Sequence, residues 1–218
     1  YNQLLTRAFI LGNKIKDNHE HGEYVGVLLP NSVGTVSAFL GLQIHSYVPA
    51  MLNFSAGAKG MISACETAAI KTVYTSRRFI KMGRMEDTIA ALAEKVKIVY
   101  LDDLVPTVTL FDKLRGAVNA RFANTTYMRK SKKAKPEDPA VVLFTSGSEG
   151  VPKGVVLSHA NILANGVQMS TRIDFSAQDI IFNALPMFHS FGLSAGTLLP
   201  LLSGMRTFFY PTPLHYRI

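Results

Sequence analysis

Residues 145–154 read Thr-Ser-Gly-Ser-Glu-Gly-Val-Pro-Lys-Gly. Three hydroxyl side chains, three glycines and one lysine in so short a run are the materials of an anion cradle. Gly147, Gly150 and Gly154 permit backbone conformations that other residues resist, and they let N–H groups come close to a phosphate. Thr145, Ser146 and Ser148 add hydroxyl donors, and Lys153 adds a compact positive charge. Pro152 fixes φ just before that lysine and stiffens its approach. The order is not that of the GxxxxGK[ST] nucleotide loop, because Lys153 is followed by Gly154 and then by a strand-like run. An ordinary hairpin turn has about two to five residues. This stretch has ten, with an apolar run on each side that reads as a buried strand, so a phosphate-holding loop is the reading that fits.

A second segment, 184–193, reads Ala-Leu-Pro-Met-Phe-His-Ser-Phe-Gly-Leu. His189 has two readings. It is either a structural member of an aromatic cluster with Phe188 and Phe191, or an imidazole beside a phosphate-bearing substrate, where its charge could aid a reaction. His159, directly after the first loop, reads as a capping or packing residue. The single cysteine, Cys65, lies in a helical run with no cation or histidine nearby in sequence. It reads as an inert core thiol.

Those residues need a scaffold, and the pattern supplies one. Apolar positions at Leu4, Leu5, Ala8, Phe9, Leu11 and Ile15 predict a helix over 3–16. Short apolar runs at 24–29, 48–51, 71–75 and 96–100 predict strands. The segments between them, 33–45, 58–67, 77–82 and 87–95, predict helices, with Ser32 and Ser76 placed as N-caps. Strand and helix alternate at the spacing of parallel βαβ units, which predicts an open α/β sheet with flanking helices. A helix over 109–121 leads to a basic, proline-containing stretch. Further on, Ser158 caps a helix over 160–171, followed by a strand over 179–183, a helix over 194–202 and a strand over 206–210. The expected division is a first α/β lobe at 1–125, a basic linker at 126–139, and a second lobe at 140–218 carrying the loop.

Nearly half of the 218 residues are hydrophobic, enough for a substantial core. No apolar run approaches the ~18 residues that span a bilayer. One cysteine excludes an internal disulfide framework and fits a reducing compartment. Part of the net charge of +8 comes from Arg77, Arg78, Lys81 and Arg84, and another part from Arg129, Lys130, Lys132, Lys133 and Lys135. These read as solvated surface and connector, or as an attractor for an acidic protein or anionic lipid. The run lacks interleaved aromatic residues, which points away from nucleic acid. A non-catalytic basic docking module is the alternative of another class. The chain opens inside a helical pattern without Met, and it reads as an excerpt of something longer.

The loop 145–154 resembles the [ST]-S-G-[ST]-x-G-x-P-K-G motif of the adenylate-forming superfamily at every defined position, and 185–192 looks like that superfamily's second core motif. Segments 49–57, 70–77 and 144–165 are similar to the acyl-ACP synthetase domain of bacterial bifunctional 2-acylglycerophosphoethanolamine acyltransferase/acyl-ACP synthetases. The resemblance implies the N-terminal portion of the large adenylate-forming domain, with ATP and magnesium as cofactors and a fatty acid as substrate. It implies acyl carrier protein, or coenzyme A, as thiol acceptor, and it leaves a fatty or aryl acyl-CoA ligase as the alternative. Thr145, Ser146, Gly147, Ser148, Gly150, Lys153 and Gly154 would hold the nucleotide phosphates. Lys153 and His189 would be catalytic, and Glu149 at the variable position would point away. The resemblance also implies a bacterial cytoplasmic location at the inner membrane face. Family motifs expected further along, together with an HxxxxD acyltransferase signature, are not in this stretch, which by itself is not expected to turn over.

Overall fold

A computed structural model describes residues 1–131, 134–145 and 152–211. Helix α1 (Asn2–Ile15) turns Ala8, Phe9, Gly12 and Ile15 inward at helical spacing. Strand and helix then alternate through β1 (Tyr24–Val27), α2 (Val33–Ile44), β2 (Val48–Met51), α3 (Gly57–Thr67), β3 (Thr72–Thr75), α4 (Arg77–Gly83), α5 (Glu86–Ala93) and β4 (Lys97–Tyr100). A short α6 (Leu101–Leu104), α7 (Leu110–Arg121) and α8 (Ala123–Lys130) lead to β5 (Pro139–Thr145) and β6 (Lys153–Ser158). The described chain closes with α9 (His159–Ser170), β7 (Ile180–Asn183), α10 (Ser190–Leu193), a π-helical turn (Ser194–Leu198), α11 (Leu199–Leu202) and β8 (Arg206–Phe209).

Local chemistry sets the helix starts. The Ser32 hydroxyl accepts from the Thr35 N–H at 3.1 Å, and Ser76 accepts from Phe79 N–H at 3.4 Å. Thr109 with Asp112, and Ser158 with Asn161, form reciprocal capping boxes. Each cap satisfies backbone donors that a helix leaves open in its first turn.

Six strands make one sheet in the order β4-β3-β1-β2-β5-β6, and β7 and β8 make a second, parallel pair. All neighbours in the large sheet are parallel except β5 and β6. Period-two alternation divides its side chains between two cores. Val25, Val27, Met51, Val141 and Leu143 join one core, with Val36, Phe39 and Leu42 of α2. Val48, Ala50, Val73 and Val142 join the other, with Met61 of α3 and Ile89 of α5. Helices therefore cover both faces, as a parallel sheet requires.

Two expectations need correction. The segment after α7 is not simply a connector, because residues 123–130 form α8, tied to α1 where Lys130 Nζ donates to Asn13 Oδ1 at 2.9 Å. Arg and Lys are good helix formers, so a basic run does not by itself break a helix. In addition β6 is not buried. It is the edge strand, with Val155 and Val156 exposed, because no further strand pairs with it among the described residues.

Helices α1 and α2 cross at glycine. A Cβ on Gly12 would lie 2.7 Å from the carbonyl oxygen of Gly41, and one on Gly41 would lie 3.1 Å from that of Ala8. Alanine at position 12 would gain about 1 kcal/mol of helix propensity, but overpacking against unyielding backbone costs about 1–3 kcal/mol. Gly12→Ala should therefore lower stability in urea unfolding. A gain would show that the two helices can part.

Burial, with help from the nearby Lys130 and Lys16 charges, pushes His45 down to about 4 from its ordinary 6.5. The unfolded chain then takes up the proton first as pH falls, so stability is lost between about 6.5 and about 4. His159, also lowered by burial, acts in the same direction. His45→Gln should flatten the dependence of unfolding free energy on pH within that window.

Candidate active site

Parallel pairing of Ala50 with Val142 and Met51 with Leu143 brings the carboxyl end of β5 to the same edge as the carboxyl ends of β1 and β2. In open α/β sheets this edge is where ligands bind. Strand β6 returns antiparallel, and the register sets Thr145 opposite Lys153 at the mouth of the hairpin. Both ends of the sequence-predicted phosphate loop are thus at the edge. Ser146, Gly147, Ser148, Glu149 and Gly150 lie outside the described residues.

A cleft of about 530 Å³ opens beside Thr145, lined by Asn53, Leu143, Val155, Leu157, Phe188 and His189 among others. Lys153 shares its side of β6 with Val155 and Leu157, two residues along each time, so the lysine stands on the cleft-facing side of the strand. Gly154 falls on the opposite side. A Cβ there would meet Val142 and Phe144 at 3.4 and 3.6 Å, an ordinary contact. A smaller cleft of about 170 Å³ lies on the other flank, between Asn53, Gly60, Met61, Phe144, Thr145 and Pro152. Thr145 and Asn53 border both.

His189 is exposed and N-caps α10 by position. Its backbone N–H donates to the Pro186 carbonyl at 2.9 Å, and its own carbonyl accepts from Leu193 N–H at 2.9 Å. Its ring has no aromatic partner among the described residues, which weighs against the reading as a structural cluster residue. Phe188 does pack, edge-on against Phe54 at 4.8 Å between centroids, and Phe54 meets Phe79 at 5.3 Å. Phe191, the other aromatic residue of that cluster reading, is 62% exposed. Cys65 is buried in the second core, and its thiol is pushed up to about 12 by that burial, as an inert residue requires. His159 begins α9, its N–H donating to the Asp138 carbonyl at 3.3 Å. Of the first basic group, Arg77 is held by a two-point contact to Asp103 at 2.7 and 3.2 Å and lies 3.9 Å over the Tyr100 ring.

Two buried asparagines and a glycine, whose roles periodicity does not reveal, position the histidine segment. Asn31, just after β1, accepts from Met187 N–H at 2.9 Å and donates to the Leu185 carbonyl at 2.6 Å. Its amide pairs with the segment as a neighbouring strand would. Asn183 accepts from Leu185 N–H at 3.1 Å and donates to Gly192 O and Thr197 Oγ1 at 3.2 and 3.1 Å. Gly192 is pressed against this segment, since a Cβ there would sit 2.2 Å from the Pro186 carbonyl oxygen. In sequence, Asn31 lies in Pro-Asn-Ser and reads as turn punctuation.

The architecture is that of an α/β protein whose candidate cleft lies at the carboxyl ends of its strands. A family model described as AMP-binding enzyme matches residues 1–217, and the chain belongs to that family, with the fold of the N-terminal domain of adenylate-forming enzymes. It is 29% identical over 195 residues to 4-coumarate–CoA ligase 4 of Arabidopsis thaliana, covering 86% of this chain and 32% of that protein. It is 32% identical over 131 residues to the medium-chain fatty-acid–CoA ligase of Escherichia coli K12, covering 58% and 22%. It is 26% identical over 212 residues to the medium-chain-fatty-acid–[acyl-carrier-protein] ligase TtuA of Teredinibacter turnerae, covering 86% and 33%. The chain thus spans about a third or less of these relatives. Among solved structures, the N-terminal domain of FACL13 from Mycobacterium tuberculosis has a TM-score of 0.76 at 20% identity, covering 96% of this chain and 49% of that one. ATP-bound MatB from Rhodopseudomonas palustris has a TM-score of 0.73 at 22% identity, covering 97% and 40%.

Replacing Asn31 by alanine strands a buried Met187 N–H and the Leu185 carbonyl. Each unpaired group costs about 1–3 kcal/mol. Asn31→Ala should lower stability by about 2–4 kcal/mol and speed amide exchange at Met187 more than at Val25 in β1. Equal acceleration at both positions would show that Asn31 holds the fold as a whole and not the histidine segment.

Proposed function

We propose that the protein of which this sequence is part activates a fatty acid with ATP and passes the acyl group to the thiol of acyl carrier protein, serving the reacylation of lysophosphatidylethanolamine. The observation that carries the reading is the Thr145–Lys153 pair at the carboxyl edge of the sheet, bordering a cleft that His189 also lines. Resemblance to the bifunctional acyltransferase/acyl-ACP synthetases and the likeness to TtuA support the choice of carrier protein. The likeness to 4-coumarate and medium-chain fatty-acid CoA ligases supports the broader reading of an acid–thiol ligase.

In the first step a carboxylate oxygen bonds to the α-phosphorus, the bond to the bridging oxygen breaks, and pyrophosphate leaves. In the second, a thiol sulfur attacks the acyl carbonyl and AMP departs. Negative charge gathers on phosphoryl oxygens, so fixed donors aimed there stabilise the transition state. Thr145 would give a hydroxyl and Lys153 a positive charge, with Ser146, Gly147, Ser148, Gly150 and Gly154 completing the phosphate cradle. His189, exposed at the cleft wall, would sit by the reacting carboxylate. No group of three His, Cys, Asp or Glu suited to a metal occurs among the described residues. A magnesium ion arriving with ATP would be held chiefly by phosphate oxygens.

Fatty-acid-dependent exchange of labelled pyrophosphate into ATP by the full-length protein tests the first step. Lys153→Gln should lower that exchange by about 10²-fold or more, the scale of losing one fixed donor at a developing charge. Mass spectrometry of carrier protein and coenzyme A offered together identifies the acceptor. Exchange supported by 4-coumarate and not by fatty acids would replace this reading with that of an aryl-acid ligase.

A further inference from the structure

The residues of α7 are distributed opposite to those of a core-packing helix. Gly116, Asn119 and Ala120 are its buried residues. They bring it so close to α1 that a Cβ on Gly116 would lie 2.5 Å from the Ile10 side chain. Its large apolar residues face away: Leu110, Phe111, Leu114, Val118 and the C-capping Phe122 are between 58% and 73% exposed. At about 100° per residue these five occupy one continuous arc of about 120°. Arg115 borders the arc on one side, Lys113 lies beyond the other, and Arg121 falls within it. Met128 of α8 is also 65% exposed. Beside it an apolar groove of about 510 Å³ runs between α1, α6 and α7, with Val105 and Val108 in its wall and Arg7, Lys14 and Lys113 among its lining.

Helices α7 and α8 carry Lys113, Arg115, Arg121, Arg129 and Lys130 against one acid, while the neighbouring α6 holds Asp102 and Asp103, the latter paired with Arg77. The acid of α7 is Asp112. That acid is already engaged by Lys14 at 2.7 Å. Lys16, Arg115 and Arg129 lie close enough to Lys130 that their repulsion, added to its burial, holds the ammonium below its ordinary value. A second copy of the chain docked here would bring like charges together. An apolar stripe flanked by cations instead fits an anionic lipid surface, with side chains reaching below the headgroups. The exposed apolar surface of β7 and β8, with Phe182 and Phe208, differs because charges of opposite sign, Asp179 and Arg206, stand together at the start of the two strands.

We propose that the outward face of α7 is an interfacial docking surface for an anionic membrane, with its apolar arc among the acyl chains and its cations at the lipid phosphates. The inference deepens the lysophospholipid reading by naming the face that meets the bilayer. It stands on surface chemistry that holds whichever acid the protein activates.

Sedimentation of the full-length protein with phosphatidylcholine vesicles, with and without about a third phosphatidylglycerol, tests it. Pyrophosphate exchange on the same preparations reads ligase activity separately. Binding should require the anionic lipid and weaken as salt rises. The double variant Phe111→Ser/Leu114→Ser should bind at least about tenfold more weakly, with exchange activity and melting temperature unchanged. Arg115→Gln/Arg121→Gln should lose the preference for anionic vesicles. Undiminished vesicle binding by the Phe111/Leu114 variant overturns the proposal. So does a change in that variant's oligomeric state with no change in vesicle binding, since the face would then be a contact between protein copies.

Discussion

Strand β5 joins the sheet through its parallel pairing with β2, Ala50 against Val142 and Met51 against Leu143. The Thr145–Lys153 end of the candidate site depends on that contact. Nearly ninety residues separate the paired strands, so the entropy of closing a long segment opposes it. Burial of Val141, Val142 and Leu143 between two helix layers offsets that cost. Once β5 is seated, its direction puts Thr145 at the carboxyl edge, and β6 returns antiparallel beside it. The register of the hairpin then places Lys153 across from Thr145, facing the cleft.

A second level of organisation rests on amides. The segment carrying His189 has no strand of its own to pair with, and its backbone polar groups would be costly to bury unpaired. Asn31 and Asn183 supply the missing partners from two different elements, one after β1 and one ending β7. Because both side chains are buried, their hydrogen bonds act in a low dielectric and tolerate little displacement. Gly192 contributes by absence, leaving room for two carbonyls where any side chain would collide. The histidine is therefore placed by the core, although its ring stands in the open.

Charge is arranged with similar economy. Arg77 is committed to Asp103 and Tyr100, whereas the cations of α7 and α8 converge with scarcely an acid among them. The same two helices hold large apolar residues at their surface. The candidate site lies at the strand ends, and a different face combines exposed apolar residues with cations.

The elements were legible in the chain because periodicity and caps are local. Apolar spacing located α1 and the first four strands to within a residue or two at most ends. Ser32, Ser76 and Ser158 cap helices because a hydroxyl at that position satisfies open N–H groups whatever the surroundings. The reading of 145–154 as an anion cradle rests on its composition, since only its two ends, Thr145 and Pro152–Gly154, fall among the described residues. Other features were not legible, for one physical reason: they depend on which distant groups meet. The exposure of β6 follows from its place at the sheet edge, which an apolar run cannot announce. Asn31 looks like turn punctuation until Leu185 and Met187 arrive beside it. The outward stripe of α7 has the spacing of a core helix, and only its close packing on α1 through Gly116 shows that the large side chains are the ones left outside. The sequence by itself determined the α/β elements, their caps and the residue types of the phosphate loop. Tertiary structure alone decided what faces the cleft, what faces water and what holds His189 in place, because burial and pairing are properties of neighbours far apart along the chain.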